Sequence, residues 1–362
     1  MIKAFKYRIY PNRAQRENIN KTISLCQQLY NSALEHRICL YKHGGININY
    51  YDQAAELKEL KQVLPEYKTV YSQVLQDVLK RLDKSYQNFF RRVKQGETAG
   101  FPRFQSYKRY NSFTYPQSGF SLSGSHLQLS KIGNVKVKLH RPVEGKMKTC
   151  TIIRKNDKYY VCFSCEVEPQ AIPLTYQDVG IDMGIKEICI TSDSELIPNP
   201  KNYRKSEAKF KKQQRAVSRK KKGSNRRKKA VSILANTHEH IANQRKDNAF
   251  KVANDLLNKY DTICREDLQI NNMVKNHKLA KSISDAGWGI FFNILEQKAK
   301  QTLGKRVIAV DPKYTSQICS SCGQIVKKSL AVRTHKCDCG LEIDRDVNAA
   351  INILRKGLTL IT

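Results

Sequence analysis

Apolar and polar positions alternate at the start of the chain. Phe5, Tyr7 and Ile9 stand between Lys6, Arg8 and Tyr10, which predicts a strand over residues 1–10. Pro11 and Asn12 punctuate it, and Asn12 is suited to cap a helix. From Arg13 to Tyr41 the period lengthens, with Ile19, Ile23, Cys26, Tyr30 and Ala33 recurring at three- and four-residue steps on one helix face. A second helix is predicted from about Thr69 to Val93 along Leu75, Val78, Leu82, Phe89 and Val93. A polar connection around Gly44-Gly45 separates the two, and Gly96 with Gly100-Phe101-Pro102 ends the helical lobe.

From about Tyr107 to Val167 the texture is β. Short strands are predicted at Phe120-Ser-Leu-Ser, His126-Leu-Gln-Leu, Val135-Lys-Val-Lys-Leu, Cys150-Thr-Ile-Ile and Tyr159-Tyr-Val-Cys-Phe. The first strand can join them and close a small barrel around the helical insertion. Gln170 to Pro173 is the expected boundary. Beyond it come strands at Val179–Asp182, Glu187–Thr191, Thr262–Arg265 and Val307–Val310. Helices are expected through Ile241, Ala249, Val252 and Leu256, and from Trp288 to Leu303. Such alternation argues an α/β domain.

Charge narrows the function. The 362 residues include 65 Lys and Arg against 32 Asp and Glu, a net charge of +33, and the excess runs along the whole chain. Polyanionic nucleic acid is the natural partner, since each neutralised phosphate releases a counterion. A membrane is not expected: no apolar stretch is long enough to span one, and residues 1–7 lack the apolar core of a signal peptide. The densest basic tract lies between Lys201 and Lys229, where 15 of 29 positions are Lys or Arg. It reads as a phosphate track through Arg215, Arg219, Lys220, Lys221, Arg226 and Arg227, although charge runs are more often solvated helix faces. The segment from Arg91 and Arg92 through Arg103 to Tyr115 interleaves cations with Phe101, Phe104, Tyr107, Tyr110 and Phe113. That mixture suits phosphate contacts plus base stacking, or else core packing.

The cysteines point to metal. Cys319-x-x-Cys322 and Cys337-x-Cys339 form two close pairs, each followed directly by glycine (Gly323 and Gly340), as a zinc knuckle requires. His335 is near enough in sequence to substitute for a ligand. Cys162-Phe-Ser-Cys165 has similar spacing but lies in an alternating strand, which sends its thiols to opposite faces. Cys26, Cys39, Cys150, Cys189 and Cys264 are isolated and expected in cores.

In a chain poor in acids, three are set against core elements. Asp182 interrupts an apolar strand, Glu266 ends another, and Asp346 opens a helix whose Val347, Ala350, Ile351 and Leu354 face a core. A buried charge is costly unless paired or bound to a cation. Phosphodiester hydrolysis with two Mg²⁺ ions needs such a cluster. Each acid also has an ordinary reading: Asp182 as a turn former, Glu266 as a strand end, Asp344 or Asp346 as a helix cap.

At this point the chain resembles the TnpB (OrfB) family of insertion-sequence proteins, relatives of the type V CRISPR effector nucleases. The resemblance is carried by residues 6–12 (KYRIYPN), 89–94 (FFRRVK), 100–104 (GFPRF), 180–185 (GIDMGI), 282–288 (SISDAGW), 315–323 (TSQICSSCG) and 344–353 (DRDVNAAINI). It implies a multidomain α+β chain. A wedge-like β-barrel (1–10 and 107–172) would carry an inserted helical recognition lobe (11–106). An RNase H-like, RuvC-type nuclease domain (173–362) would hold a zinc ribbon (314–342).

The resemblance further implies a catalytic triad of Asp182, Glu266 and Asp346, with Asp344 as the fallback for the third acid. Catalytic Mg²⁺ would sit on that triad, and one structural Zn²⁺ on Cys319, Cys322, Cys337 and Cys339. The implied activity is RNA-guided DNA cleavage: a noncoding RNA from the transposon end guides the protein to double-stranded DNA, next to a short motif the protein reads. Motif readers are expected near Ser72, Gln73, Gln76, Thr114 and Tyr115. The implied state is a monomeric ribonucleoprotein in the prokaryotic cytoplasm, associated with the nucleoid. Two rivals stand beside this: a guided DNA-binding regulator that does not cut, and a transposase or transposition accessory protein.

Overall fold

The strand Ile2–Tyr10 runs through the middle of a seven-stranded antiparallel sheet, pairing with Lys158–Glu166 on one side and Gly133–Lys138 on the other. Its alternation is obeyed, since Phe5, Tyr7 and Ile9 are buried. The structure, a computed structural model, describes residues 1–329 and 332–361 and divides into two units, Met1–Glu168 and Pro169–Thr362.

In the first unit the strands follow the order Ser112–Tyr115, Lys146–Lys155, Lys158–Glu166, Ile2–Tyr10, Gly133–Lys138, His126–Leu129, Phe120–Ser123. The expected closed barrel is instead an open run, because no ladder among the described residues joins the two end strands. The sheet nevertheless curls enough to bring the Tyr115 and Phe120 rings of those ends to 6.4 Å. The helix Arg13–Gly44 begins at Asn12 in a full capping box with Gln15 and ends at Gly45 in the left-handed conformation. Its Ile19, Ile23, Cys26 and Leu34 share a core with Val74, Leu75, Val78 and Leu82 of the helix Ser72–Lys94. Two short helices, Tyr50–Ala55 and Leu57–Val63, fill the connection that reads as merely polar in sequence. Buried Arg37 ties it down, donating to Gln53 at 2.8 Å and Asp83 at 3.0 Å.

The second unit is built on a five-stranded sheet in the order Leu196–Pro198, Glu187–Thr191, Asp178–Met183, Thr262–Glu266, Arg306–Val310. Glu187–Thr191 is antiparallel to both of its neighbours, Leu196–Pro198 and Asp178–Met183; the last two strands run parallel to Asp178–Met183. Strand alternation splits the faces. Val179, Ile181, Met183 and Ile263 pack with the helices Asn225–Lys259 and Trp288–Ala299. Gly180, Asp182, Cys264 and Glu266 belong to the opposite face, where Cys264 packs with Ile353 of the helix Arg345–Leu358. At the other end of the strands, fully buried Lys305 donates to Asp261 at 2.6 Å, and Asp261 also accepts from the Thr175 and Tyr176 N–H groups.

The basic tract is a helical hairpin. The helices Asn202–Ser218 and Asn225–Lys259 pack together, with the Phe210 and His238 rings edge to face at 4.5 Å. Of the isolated cysteines, Cys26, Cys150, Cys189 and Cys264 are buried, but Cys39 is exposed, on the outer side of its helix. Cys165 faces the core while Cys162 lies on the other face of the same strand.

Candidate active site and cysteine knot

Parallel pairing brings the first two acids together. Cys264 pairs with Gly180 and Arg265 with Ile181, so one residue further along Glu266 stands level with Asp182 on the neighbouring strand, about 5 Å away by the ladder spacing. The third acid arrives on the helix Arg345–Leu358, which lies against these strands at very short range. A Cβ on Gly180 would collide with the Ala350 carbonyl and the Leu354 N–H. Glycine is therefore required there by close approach alone.

The electrostatics show the same grouping. Asp182 is held well above the usual carboxylate range, first by burial and then by the charges of Glu266 and Asp346, against the pull of Arg345. Burial also pushes Glu266 up, offset in part by a hydrogen bond from Thr315 and the charge of Lys356. A buried Asp182 raised by the charges of two neighbouring acids marks a place that favours a cation.

Asp344 and Asp346 separate cleanly. The Asp344 side chain accepts from the N–H groups of Asp346 and Val347 at 2.8 and 3.2 Å, which makes it the helix cap. Asp346, in the first turn, meets Arg345 at 2.9 and 3.0 Å and Arg333 at 3.4 Å. With its oxygens turned to these arginines, Asp346 does not join a tight ligand cluster. Among the described residues, the group of three or more such ligands within 4.8 Å of one another is Cys319, Cys322, Cys337 and Cys339.

Those cysteines sit on two matching knuckles. Gly323 N–H bonds to Cys319 O and Gly340 N–H to Cys337 O, with both glycines at positive φ (80° and 90°). Sγ atoms approach to 3.6 Å between Cys319 and Cys339 and 3.5 Å between Cys322 and Cys337. Tetrahedral Zn²⁺ with bonds of about 2.3 Å wants edges of about 3.8 Å, so the four donors fit zinc. Burial works to raise the Cys319 thiol, but the Cys322 and Ser321 N–H groups, with His335 and Cys339, hold it below the usual thiol range. His335 is buried beside Cys319 with Nδ1 against Lys328, outside the group of four donors. The expected ribbon span 314–342 includes residues 330 and 331, which lie outside the described residues.

The expected nucleic-acid contacts divide. Arg91, Arg92, Arg103, Arg215, Arg219, Lys221 and Arg226 are exposed; Lys220 and Arg227 are half-buried. Ser72 and Gln76 are exposed at the start of their helix, where Ser72 accepts from Lys61, and half-buried Gln73 accepts from Ser118. Thr114 and Tyr115 do not fit a reading role. They belong to the strand Ser112–Tyr115, where Thr114 bonds to Arg81 and Thr151, and Tyr115 is buried with its hydroxyl donating to Ser130 O at 2.8 Å. Alternation of Phe113 with Thr114 was the signal for this strand. Among the interleaved aromatics, Phe101, Phe104 and Tyr107 are exposed, whereas Tyr110 and Phe113 are core.

Two residues that lie in the resemblance blocks, but have no role legible in sequence, fix the hairpin start and Glu266. Buried Asp285 accepts from the Tyr203 and Arg204 N–H groups at 2.8 and 3.1 Å and from Arg245 at 3.4 Å, capping the first hairpin helix. Buried Thr315 donates to Glu266 at 2.6 Å.

Three family models match parts of the chain: "Probable transposase" over residues 162–277, "Cas12f1-like, TNB domain" over 288–353, and "Helix-turn-helix domain" over 1–45. In this structure residues 2–44 form one strand and one unbroken helix rather than two short ones. A "Putative RNA-guided DNA endonuclease" of Streptomyces pristinaespiralis is 35% identical over 98% of this chain and 89% of its own. "Putative RNA-guided DNA endonuclease InsQ" of Escherichia coli K12 is 31% identical over 98% and 92%. The solved Cas12f1–sgRNA–target DNA complex matches with a TM-score of 0.60 at 14% identity, covering 98% of both chains, which is likeness of fold. The chain belongs to the TnpB (OrfB) family of insertion-sequence proteins, related to Cas12f.

Proposed function

We propose that this protein is a transposon-encoded, RNA-guided DNA endonuclease that cuts double-stranded DNA next to a short protein-read motif and so promotes persistence of its element. The observation that carries the reading is the meeting of Asp182, Glu266 and the helix of Asp346 on one sheet face. The strand order of the second unit, with two antiparallel additions on one side and two parallel strands on the other, supports an RNase H-like, RuvC-type nuclease domain. Full-length likeness to two relatives named as RNA-guided DNA endonucleases supports the activity.

Asp182, Glu266 and Asp346 would hold Mg²⁺, which when bound supplies an activated water and a stabilised leaving oxygen. The chain's own groups prepare that site. Thr315 orients Glu266, Arg345 and Arg333 hold Asp346 at the helix start, and Trp288 Nε1 donates to Gly184 O at 3.3 Å, beside the Asp182 strand. Cys319, Cys322, Cys337 and Cys339 would hold one Zn²⁺ with all four positions closed, a brace without a seat for water.

The cations of the hairpin and of residues 91–103 would track the guide RNA and its target duplex, with Phe101, Phe104 and Tyr107 available for stacking. Ser72, Gln73 and Gln76 remain the proposed motif readers. The working form would be a monomeric ribonucleoprotein acting on DNA in the prokaryotic cytoplasm. No helix among the described residues is long and apolar enough to cross a membrane.

Purified ribonucleoprotein, guided plasmid and Mg²⁺ test the reading. Asp182→Ala and Glu266→Ala should each abolish cutting while RNA binding survives. Full-rate cleavage by either variant would overturn the site; a wild-type complex that binds its target without cutting would favour a guided regulator instead.

A further inference from the structure

We propose that Thr315 is a positioning residue for Glu266 and the joint through which the cysteine ribbon sets the geometry of the carboxylate site. This rests on reading Asp182, Glu266 and Asp346 as the metal-holding acids. Thr315 is buried four residues before Cys319, and its Oγ1 reaches Glu266 Oε1 at 2.6 Å. The carbonyl of Pro312 is the other acceptor in reach, at 3.0 Å. A hydroxyl has one proton to give, and the shorter contact, to the Glu266 carboxyl oxygen, claims it. One oxygen of Glu266 is thereby fixed by a group that begins the ribbon.

The same stretch is fastened to the helix that carries Asp346. Asn352 donates to the carbonyls of Thr315 at 2.9 Å and Ile318 at 2.6 Å. One turn earlier, Asn348 donates to Ile318 O at 2.7 Å and accepts from Ser320 N–H at 2.9 Å. Both asparagines are buried, and at i and i+4 they present one face to the first knuckle. Unsatisfied amides there would be costly, so the knuckle and the helix move together. Glu266 and Asp346 come from elements far apart in sequence. The ribbon segment 315–320 touches both, through a side chain on one side and backbone groups on the other. A group that orients a metal-holding carboxylate in this way commonly governs affinity for the ion.

The test compares Thr315→Val, Thr315→Ser and Glu266→Gln in the full chain. It measures zinc content, guide-RNA binding, Mn²⁺ binding by electron paramagnetic resonance, and cutting by the ribonucleoprotein. Thr315→Val should keep one zinc and normal RNA binding yet bind Mn²⁺ about ten- to a hundredfold more weakly, with a matching loss of cutting. Thr315→Ser, which keeps the hydroxyl, should restore both. Wild-type Mn²⁺ binding in Thr315→Val, beside a weak Glu266→Gln, would overturn the inference and leave the nuclease reading intact. Thr315→Ser as weak as Thr315→Val would assign the effect to methyl packing, and loss of zinc from Thr315→Val would assign Thr315 to the ribbon alone; either result sinks the proposal. If Glu266→Gln itself bound Mn²⁺ and cut as wild type, the reading beneath would fail with it.

Discussion

Gly180 and Ala350 meet backbone to backbone, with no room for a Cβ between the strand that carries Asp182 and the helix that carries Asp346. This contact sets how closely the helix that carries Asp346 approaches the strand that carries Asp182. Gly180→Ala must push the helix outward, and overpacking of this kind costs about 1–3 kcal/mol. A lowered melting temperature together with impaired cutting is expected. Unchanged melting would show that the helix does not bear on the sheet at this point.

The buried pair of Asp261 and Lys305 predicts acid sensitivity. Burial would raise Asp261, but the hydrogen bonds from Lys305, Thr175 and Tyr176 prevail and hold its carboxyl at about 2. The unfolded chain takes up that proton near pH 4, so the stabilisation is whole above about pH 4 and is lost as pH falls toward 2. The lowered value is worth about 2 kcal/mol at neutral pH. Asp261→Asn should flatten the fall in melting temperature between about pH 4 and 2 relative to wild type. Parallel curves for the two proteins would remove Asp261 from the account.

Asp285 should matter to RNA through shape rather than contact. Asp285→Ala strips the cap from the helix Asn202–Ser218 and leaves Arg245 without this carboxylate partner. Losing a cap costs about 1 kcal/mol, and a buried partner left behind adds to it. Limited proteolysis should then cut within residues 202–259 more readily, with weaker guide-RNA binding. Intact protease resistance would argue that the hairpin stands without this anchor.

The four thiols should bind one zinc per chain. Cys322→Ser and Cys337→Ser should each lose it, lower thermal stability and reduce cutting, since the knuckle that carries Thr315 would loosen. Elemental analysis and melting curves check this. A zinc-free wild-type chain that is folded and active would exclude the brace.

Part of the site is legible along the chain. The close pairs of cysteines with their following glycines, and Asp182 inside an apolar run, are visible because zinc knuckles and buried charges have local requirements. The roles of Asp344 and Asp346 are not separable that way, since both lie at a helix start. The fold identifies Asp344 as the cap, because its carboxylate accepts the Asp346 and Val347 N–H groups. Tyr115 misleads for the converse reason: the resemblance puts a motif reader there, but its ring is buried against Tyr71, Phe113 and Phe120 and its hydroxyl donates to Ser130 O.

Sequence alone determined the elements and the nucleic-acid character: the strand at Phe5, Tyr7 and Ile9, the cap at Asn12, the alternating strands and helices beyond residue 173, the charge, and the cysteine spacing. These follow from period, capping and composition, which act between near neighbours. Tertiary structure decided what depends on distant residues meeting. It set the register that puts Glu266 level with Asp182, the Gly180–Ala350 contact, the capping by Asp285 across 82 positions from Tyr203, and the reach of Thr315 to Glu266. The physical reason is that a hydrogen bond or a missing Cβ has meaning only against its partner, and the fold alone supplies the partner.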